Sequence, residues 1–141
     1  MTYSAGSAMR AYNSVNTQSR VAEATPHRLI SLLLDGALEK IALAKGHILR
    51  NEITPKVTAI SRAISIIDGL RLSLDHTIKN ELIGNLDELY SYMARRLLQA
   101  NLKSDGEALD EVSYLLKEIR EAWNAIDASA ANPAAVEPVL E

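Results

Sequence analysis

Three histidines, two pairs of adjacent carboxylates and no cysteine make up the reactive side chains of this 141-residue chain. Without cysteine there is no thiol nucleophile, no disulfide and no thiolate ligand for a metal, which fits a reducing compartment. His27, His47 and His76 share no ligand spacing, and no Glu-x-x-His pair of the kind that binds two irons inside a helical bundle occurs. They read as surface or helix-end residues. The pairs Asp87-Glu88 and Asp110-Glu111 would splay by about 100° on a helix, so neither can focus two carboxylates on one substrate. No glycine-rich phosphate loop and no Gly-x-Ser-x-Gly elbow is present. No metal, no cofactor and no enzymatic activity are expected.

Composition narrows the partners. The formal net charge is −3, whereas a nucleic-acid binder usually presents a basic face. The adjacent Arg95-Arg96 reads as helix decoration, with no aromatic platform for stacking bases. No apolar run has the length of a membrane span, and the first twenty residues lack the apolar stretch of a signal peptide. The expectation is a cytoplasmic protein that binds no nucleic acid and inserts into no membrane. With 48% apolar residues but only 4% aromatics, its core must be aliphatic.

Repeating aliphatic residues at spacings of three and four define four helices. Thr25-Pro26 supplies an N-cap and a proline at the first helical position, predicting a helix to about Arg50. Thr54-Pro55 repeats that start and predicts a second helix to about Asp75. A third is expected from near Thr77 to Asn101–Lys103. A fourth follows the Ser104-Asp105-Gly106-Glu107 cap and runs to about Asp127. Short connections make these antiparallel neighbours. The predicted fold is all-α, an antiparallel up-down four-helix bundle over residues 25–127. A flexible N-terminal arm (1–24) precedes it and an Ala/Pro-rich, disordered C-terminal tail (128–141) follows.

Two Asp-Gly pairs, Asp35-Gly36 and Asp68-Gly69, fall inside apolar stripes. Asp-Gly favours turns, but Ile30, Leu34, Leu38 and Ile41 hold their phase across the first pair, so the helix is expected to continue. A helical glycine costs about 1 kcal/mol relative to alanine; Gly36 is explained if another backbone, resident or visiting, comes close there.

The helices also carry more aliphatic residues than one seam requires. The seam of the second helix reads Val57, Ile60, Ile64, Ile67 and Leu74; Ala59, Ala63, Ile66 and Leu70 are surplus. Leu29, Leu33 and Leu43 in the first helix, and Ile83, Tyr90, Ala94, Leu98 and Leu102 in the third, are likewise additional. Surplus apolar surface left uncovered would form a groove for an amphipathic segment. The expected groove comprises Leu29, Leu33, Gly36, Ile66, Leu70, Tyr90, Leu98 and Leu102, with Arg95 and Asn101 as polar contacts. Met9, Tyr12 and Val15, three residues apart in the arm, would either cap it when no partner is bound or belong to a simply disordered arm.

Tyr12-Asn13-Ser14-Val15, ATPHRLI (24–30), LLLDGAL (32–38), NLDELYSYMARRLLQANLKSD (85–105) and ALDEVSYLLKEIREAWNAI (108–126) together resemble the flagellar secretion chaperone family FliS. Leu34 stands where the family often has an aromatic, and DHTIKNE replaces a Gly-Gly turn common before the third helix. The resemblance implies a bacterial cytosolic bundle that binds the C-terminal segment of flagellin, prevents premature polymerisation and delivers it to the flagellar type III export apparatus. It also implies an export-gate component as a second partner, a monomer or weak dimer in the free state, and a cap formed by the arm around Tyr12. A competing reading is a helical adaptor that self-associates through the same stripes.

Overall fold

The computed structural model describes residues 25–126, which form four helices: α1 (Pro26–Leu49), α2 (Ile53–Leu72), α3 (Glu81–Lys103) and α4 (Gly106–Asn124). The expected arm and tail, with Met9, Tyr12 and Val15, lie outside these residues. Each helix packs on its neighbours in sequence, and α1 closes the ring against α4. The result is an antiparallel up-down bundle. Leu33, Leu34, Ile60, Ile66, Ile67, Met93, Leu97, Leu109, Val112 and Leu116 are fully buried along its axis.

Local chemistry sets the ends. Thr25 Oγ1 accepts from the Arg28 amide at 3.1 Å, with Pro26 just inside α1. The helix then runs unbroken through Asp35-Gly36, and α2 runs through Asp68-Gly69. Asp35 receives Arg120 of α4 at 3.4 Å instead of turning the chain. The α4 start is as expected: Asp105 caps by accepting from the Glu107 and Ala108 amides, after Ser104 in the left-handed region ends α3.

Two starts differ from the sequence reading. The N-cap of α2 is Glu52 rather than Thr54, so Pro55 lies in the first turn, where its missing N–H costs no helical hydrogen bond. Asn51, at φ 58°, reverses the chain between α1 and α2. α3 begins at Glu81 rather than near Thr77. Asp75 Oδ1 accepts from both the amide and hydroxyl of Thr77 (3.0 and 2.5 Å), a local turn that competes with helix, and Asn80 caps α3 through the Leu82 amide at 2.7 Å.

The rotation of α2 also differs. Its buried face is Lys56, Ala59, Ile60, Ala63, Ile66, Ile67, Gly69 and Leu70. The residues expected to be surplus therefore join Ile60 and Ile67 of the expected seam in the core, while Val57 is exposed and Ile64 only partly covered. Alternating small and large residues let α2 approach α1 closely, with Gly69 buried and Gly36 half-buried.

Candidate functional site

Five of the ten expected groove residues belong to the core. Leu29, Leu33, Ile66, Leu70 and Tyr90 are all nearly or wholly buried, and in this conformation they offer a partner no surface. Gly36 is half-buried on α1. The other four lie close together near the end of α3. Leu98 is 53% exposed and Leu102 79% exposed. Asn101 falls between them on the same face, and Arg95 is exposed with Nη1 donating to Ser91 Oγ at 2.7 Å.

The antiparallel arrangement brings the start of α2 beside the end of α3, and one side chain fixes the junction. Lys56 is 4% exposed, and its Nζ donates to the Asn101 carbonyl and to Ser104 Oγ, both at 2.8 Å. An ammonium near a helix N-terminus is unfavourable to its own helix dipole. Here it reaches instead the unsatisfied carbonyl end of α3, where positive charge is favoured. Ile53 and Val57 flank Lys56 on α2 and are both exposed, as Leu98 and Leu102 flank Asn101 on α3. The Lys56–Asn101 link therefore places four aliphatic side chains on one face across the α2/α3 junction.

Within that face lies a polar exception. Asn101 Oδ1 is buried and accepts no hydrogen bond, the only such side-chain atom among the described residues. A buried acceptor without a donor costs about 1–3 kcal/mol. Turned outward, the Asn101 side chain could accept from an N–H or O–H of a segment laid on this face, relieving the cost while the segment's apolar side chains covered the four aliphatics. The sequence reading placed Val57 in the core seam and gave Ile53 and Lys56 no role. A lysine three and four residues before Ala59 and Ile60 shares their face, and that phase was the available signal.

The other polar contacts join helix to helix. His27 and Trp123 stack with ring centroids 4.9 Å apart; Trp123 Nε1 donates to the His27 carbonyl at 3.0 Å and His27 Nε2 to the Trp123 carbonyl at 3.1 Å. The two ends of the described chain are thus clasped to each other. Adjacent carboxylates face different neighbours, as their 100° separation requires: Asp110 pairs with Lys45 of α1, and Glu111 with Arg96 and Tyr92 of α3. Hydrogen bonds from Tyr92 and then Arg96 hold the Glu111 carboxyl below its usual range. The hydrogen bond from Arg71 does the same for Asp87. His47 and Arg50 both bind Glu52. Among the described residues no three His, Asp or Glu side chains converge to hold a metal ion, and no helix is long and apolar enough to cross a membrane.

The family model described as flagellar protein FliS matches residues 8–130 of the chain. The chain is 48% identical over 119 residues to the flagellar secretion chaperone FliSB of Pseudomonas aeruginosa, covering 84% of this chain and 94% of that protein. It is 45% identical over 125 residues to the flagellar secretion chaperone FliS of Salmonella typhimurium, covering 88% and 93% respectively. The similarity extends to the Bacillus subtilis chaperone of the same name, at 38% over 111 residues, covering 79% and 77%.

Proposed function

The chain belongs to the FliS family of flagellar secretion chaperones, and from that premise we propose that it binds the C-terminal segment of flagellin in the bacterial cytosol. Holding this segment prevents premature polymerisation, and the complex is delivered to the flagellar type III export apparatus, an export-gate component being the second partner. The family is one of chaperones, not enzymes.

The observation that supports a client site is the exposed aliphatic face of Ile53, Val57, Leu98 and Leu102 around the unpartnered Asn101 Oδ1. Aliphatic contacts supply affinity there, and the Asn101 side chain, turning outward as the segment docks, fixes register by accepting one hydrogen bond. Arg95, exposed on the same helix, reaches the rim of the bound segment, and Met9, Tyr12 and Val15 cover the face when the client is absent. Leu29, Leu33, Gly36, Ile66, Leu70 and Tyr90 lie further along the bundle from this face and contribute by holding the helices together, not by contact with the client.

The test is binding of a flagellin C-terminal peptide to the full chain and to its Leu98→Asp and Asn101→Ala variants. Leu98→Asp should abolish binding, and Asn101→Ala should weaken it by about ten-fold, the worth of one hydrogen bond to a buried acceptor. Unchanged affinity in both would move the client elsewhere. The same exposed leucines would suit self-association. A stable oligomer in solution that Leu98→Asp dissolves, with no peptide binding by the parent chain, would select that reading.

A further inference from the structure

A second groove runs along the other edge of α2, between α1 and α2, and its chemistry differs from that of the α2/α3 face. It encloses about 350 Å³, with Leu43, Pro55 and Ala59 as apolar lining and Lys40, Arg62 and His47 as its basic groups. No carboxylate lines it. Leu43 is 46% exposed although it sits on a helix whose other long aliphatics mostly face the core.

Four cations are engaged between helices: Lys45 with Asp110, Arg71 with Asp87, Arg96 with Glu111 and Arg120 with Asp35. Others, such as Lys79 and Lys117, stand on the surface without an ion pair among the described residues, but none of them lines this groove. Lys40 and Arg62 have no ion-pair or side-chain hydrogen-bond partner among the described residues. The nearby Glu52 is committed to His47 and Arg50, and Glu39 is not part of the lining. In a chain of net charge −3, an apolar slot edged by unpaired cations is complementary to an acidic segment with one aliphatic side chain between carboxylates.

We propose that this α1/α2 groove is a second docking site, for an acidic amphipathic helix of a protein partner other than the client. The partner's aliphatic side chain packs beside Leu43 and Pro55, and its carboxylates pair with Lys40 and Arg62. The α2/α3 face offers an orphan acceptor and neutral aliphatics, so it selects a donor-bearing apolar segment. One helix, α2, thus separates two sites with opposite requirements, and both can be occupied at once.

The test uses the full chain and a designed helix of about five turns carrying leucines on one face flanked by glutamates, with a glutamine-for-glutamate control peptide. Backbone amide shifts and titration calorimetry should place the acidic peptide on Lys40, Leu43, Thr58 and Arg62, with binding weakened as salt rises from about 50 to 300 mM. The Lys40→Glu/Arg62→Glu variant should lose at least about ten-fold in affinity, while Leu98→Asp should leave acidic-peptide binding intact. Equal binding of the glutamine control, shifts on α3 instead of α1, or no binding by a folded chain would each overturn the proposal. A concentration-dependent dimer abolished by the double variant would overturn it as well, by assigning the groove to a second copy. Flagellin-peptide binding, measured in parallel, reads the α2/α3 face separately.

Discussion

Leu98 and Ile66 carry similar side chains and belong to the same surplus aliphatic pattern, yet the fold gives them opposite roles. Ile66 is fully buried between helices, so Ile66→Asp would place an unpaired carboxylate in the core. It should destabilise by more than about 4 kcal/mol and remove cooperative unfolding. Leu98→Asp adds a charge to an exposed position and should leave the melting temperature nearly unchanged. Thermal denaturation of both variants checks this contrast; a well-folded Ile66→Asp protein would contradict the burial described above. Lys56 gives a second residue-level expectation. Replacing it with methionine keeps the apolar stem but strands the Asn101 carbonyl and Ser104 hydroxyl, so stability should fall by about 1 kcal/mol. Amide hydrogen exchange should quicken in the last turn of α3, and unchanged exchange there would show that the junction does not depend on the ammonium.

The helices are held in register by polar contacts at their edges, and these respond to pH. Hydrogen bonds from Arg71 to Asp87, and from Tyr92 and Arg96 to Glu111, lower both carboxyls relative to the unfolded chain. A lowered folded-state pKa contributes stability above the unfolded value, near pH 4, which is lost as pH falls through the folded one. The melting temperature should therefore fall as pH drops from about 5 towards 2, and Glu111→Gln should flatten part of that decline. A Glu111→Gln curve parallel to the parent's would mean that Glu111 titrates alike in the folded and unfolded chain, so that the pair adds no pH-dependent stability. At the bundle's end, Trp123 is the sole tryptophan, and its reciprocal contact with His27 joins α1 to α4. Its fluorescence should report that junction directly. Trp123→Ala should loosen the first turn of α1, seen as faster exchange of the Leu29 and Ile30 amides, while the α2/α3 face is untouched.

For the whole molecule, the number, order and antiparallel packing of the helices were legible because aliphatic periodicity and the Thr25-Pro26 and Asp105 caps agree with each other. The rotation of α2 was not. Its stripes Val57/Ile60/Ile64 and Ala59/Ala63/Ile66 are equally regular; the buried face takes the whole second stripe with Ile60 and Ile67 of the first, and turns Val57 outward. That ambiguity sent Ile66 and Leu70, which are buried, to the expected groove and the exposed Val57 to the seam. The start of α3 was obscured by the Asp75–Thr77 turn, a contest between side-chain and backbone hydrogen bonds that hydrophobic spacing does not register. The exposure of Leu98 and Leu102 was legible because they follow Leu97 and Ala100 on α3 but turn away from the core.

The most direct test is calorimetric titration of the full chain with the C-terminal peptide of the same organism's flagellin at two temperatures. One-to-one binding with a strongly negative heat-capacity change is expected, because a segment folding onto an aliphatic face buries on the order of 1,000–3,000 Å². No heat of binding to the well-folded chain at either temperature would contradict a client site for flagellin, leaving the bundle and its family membership without that partner.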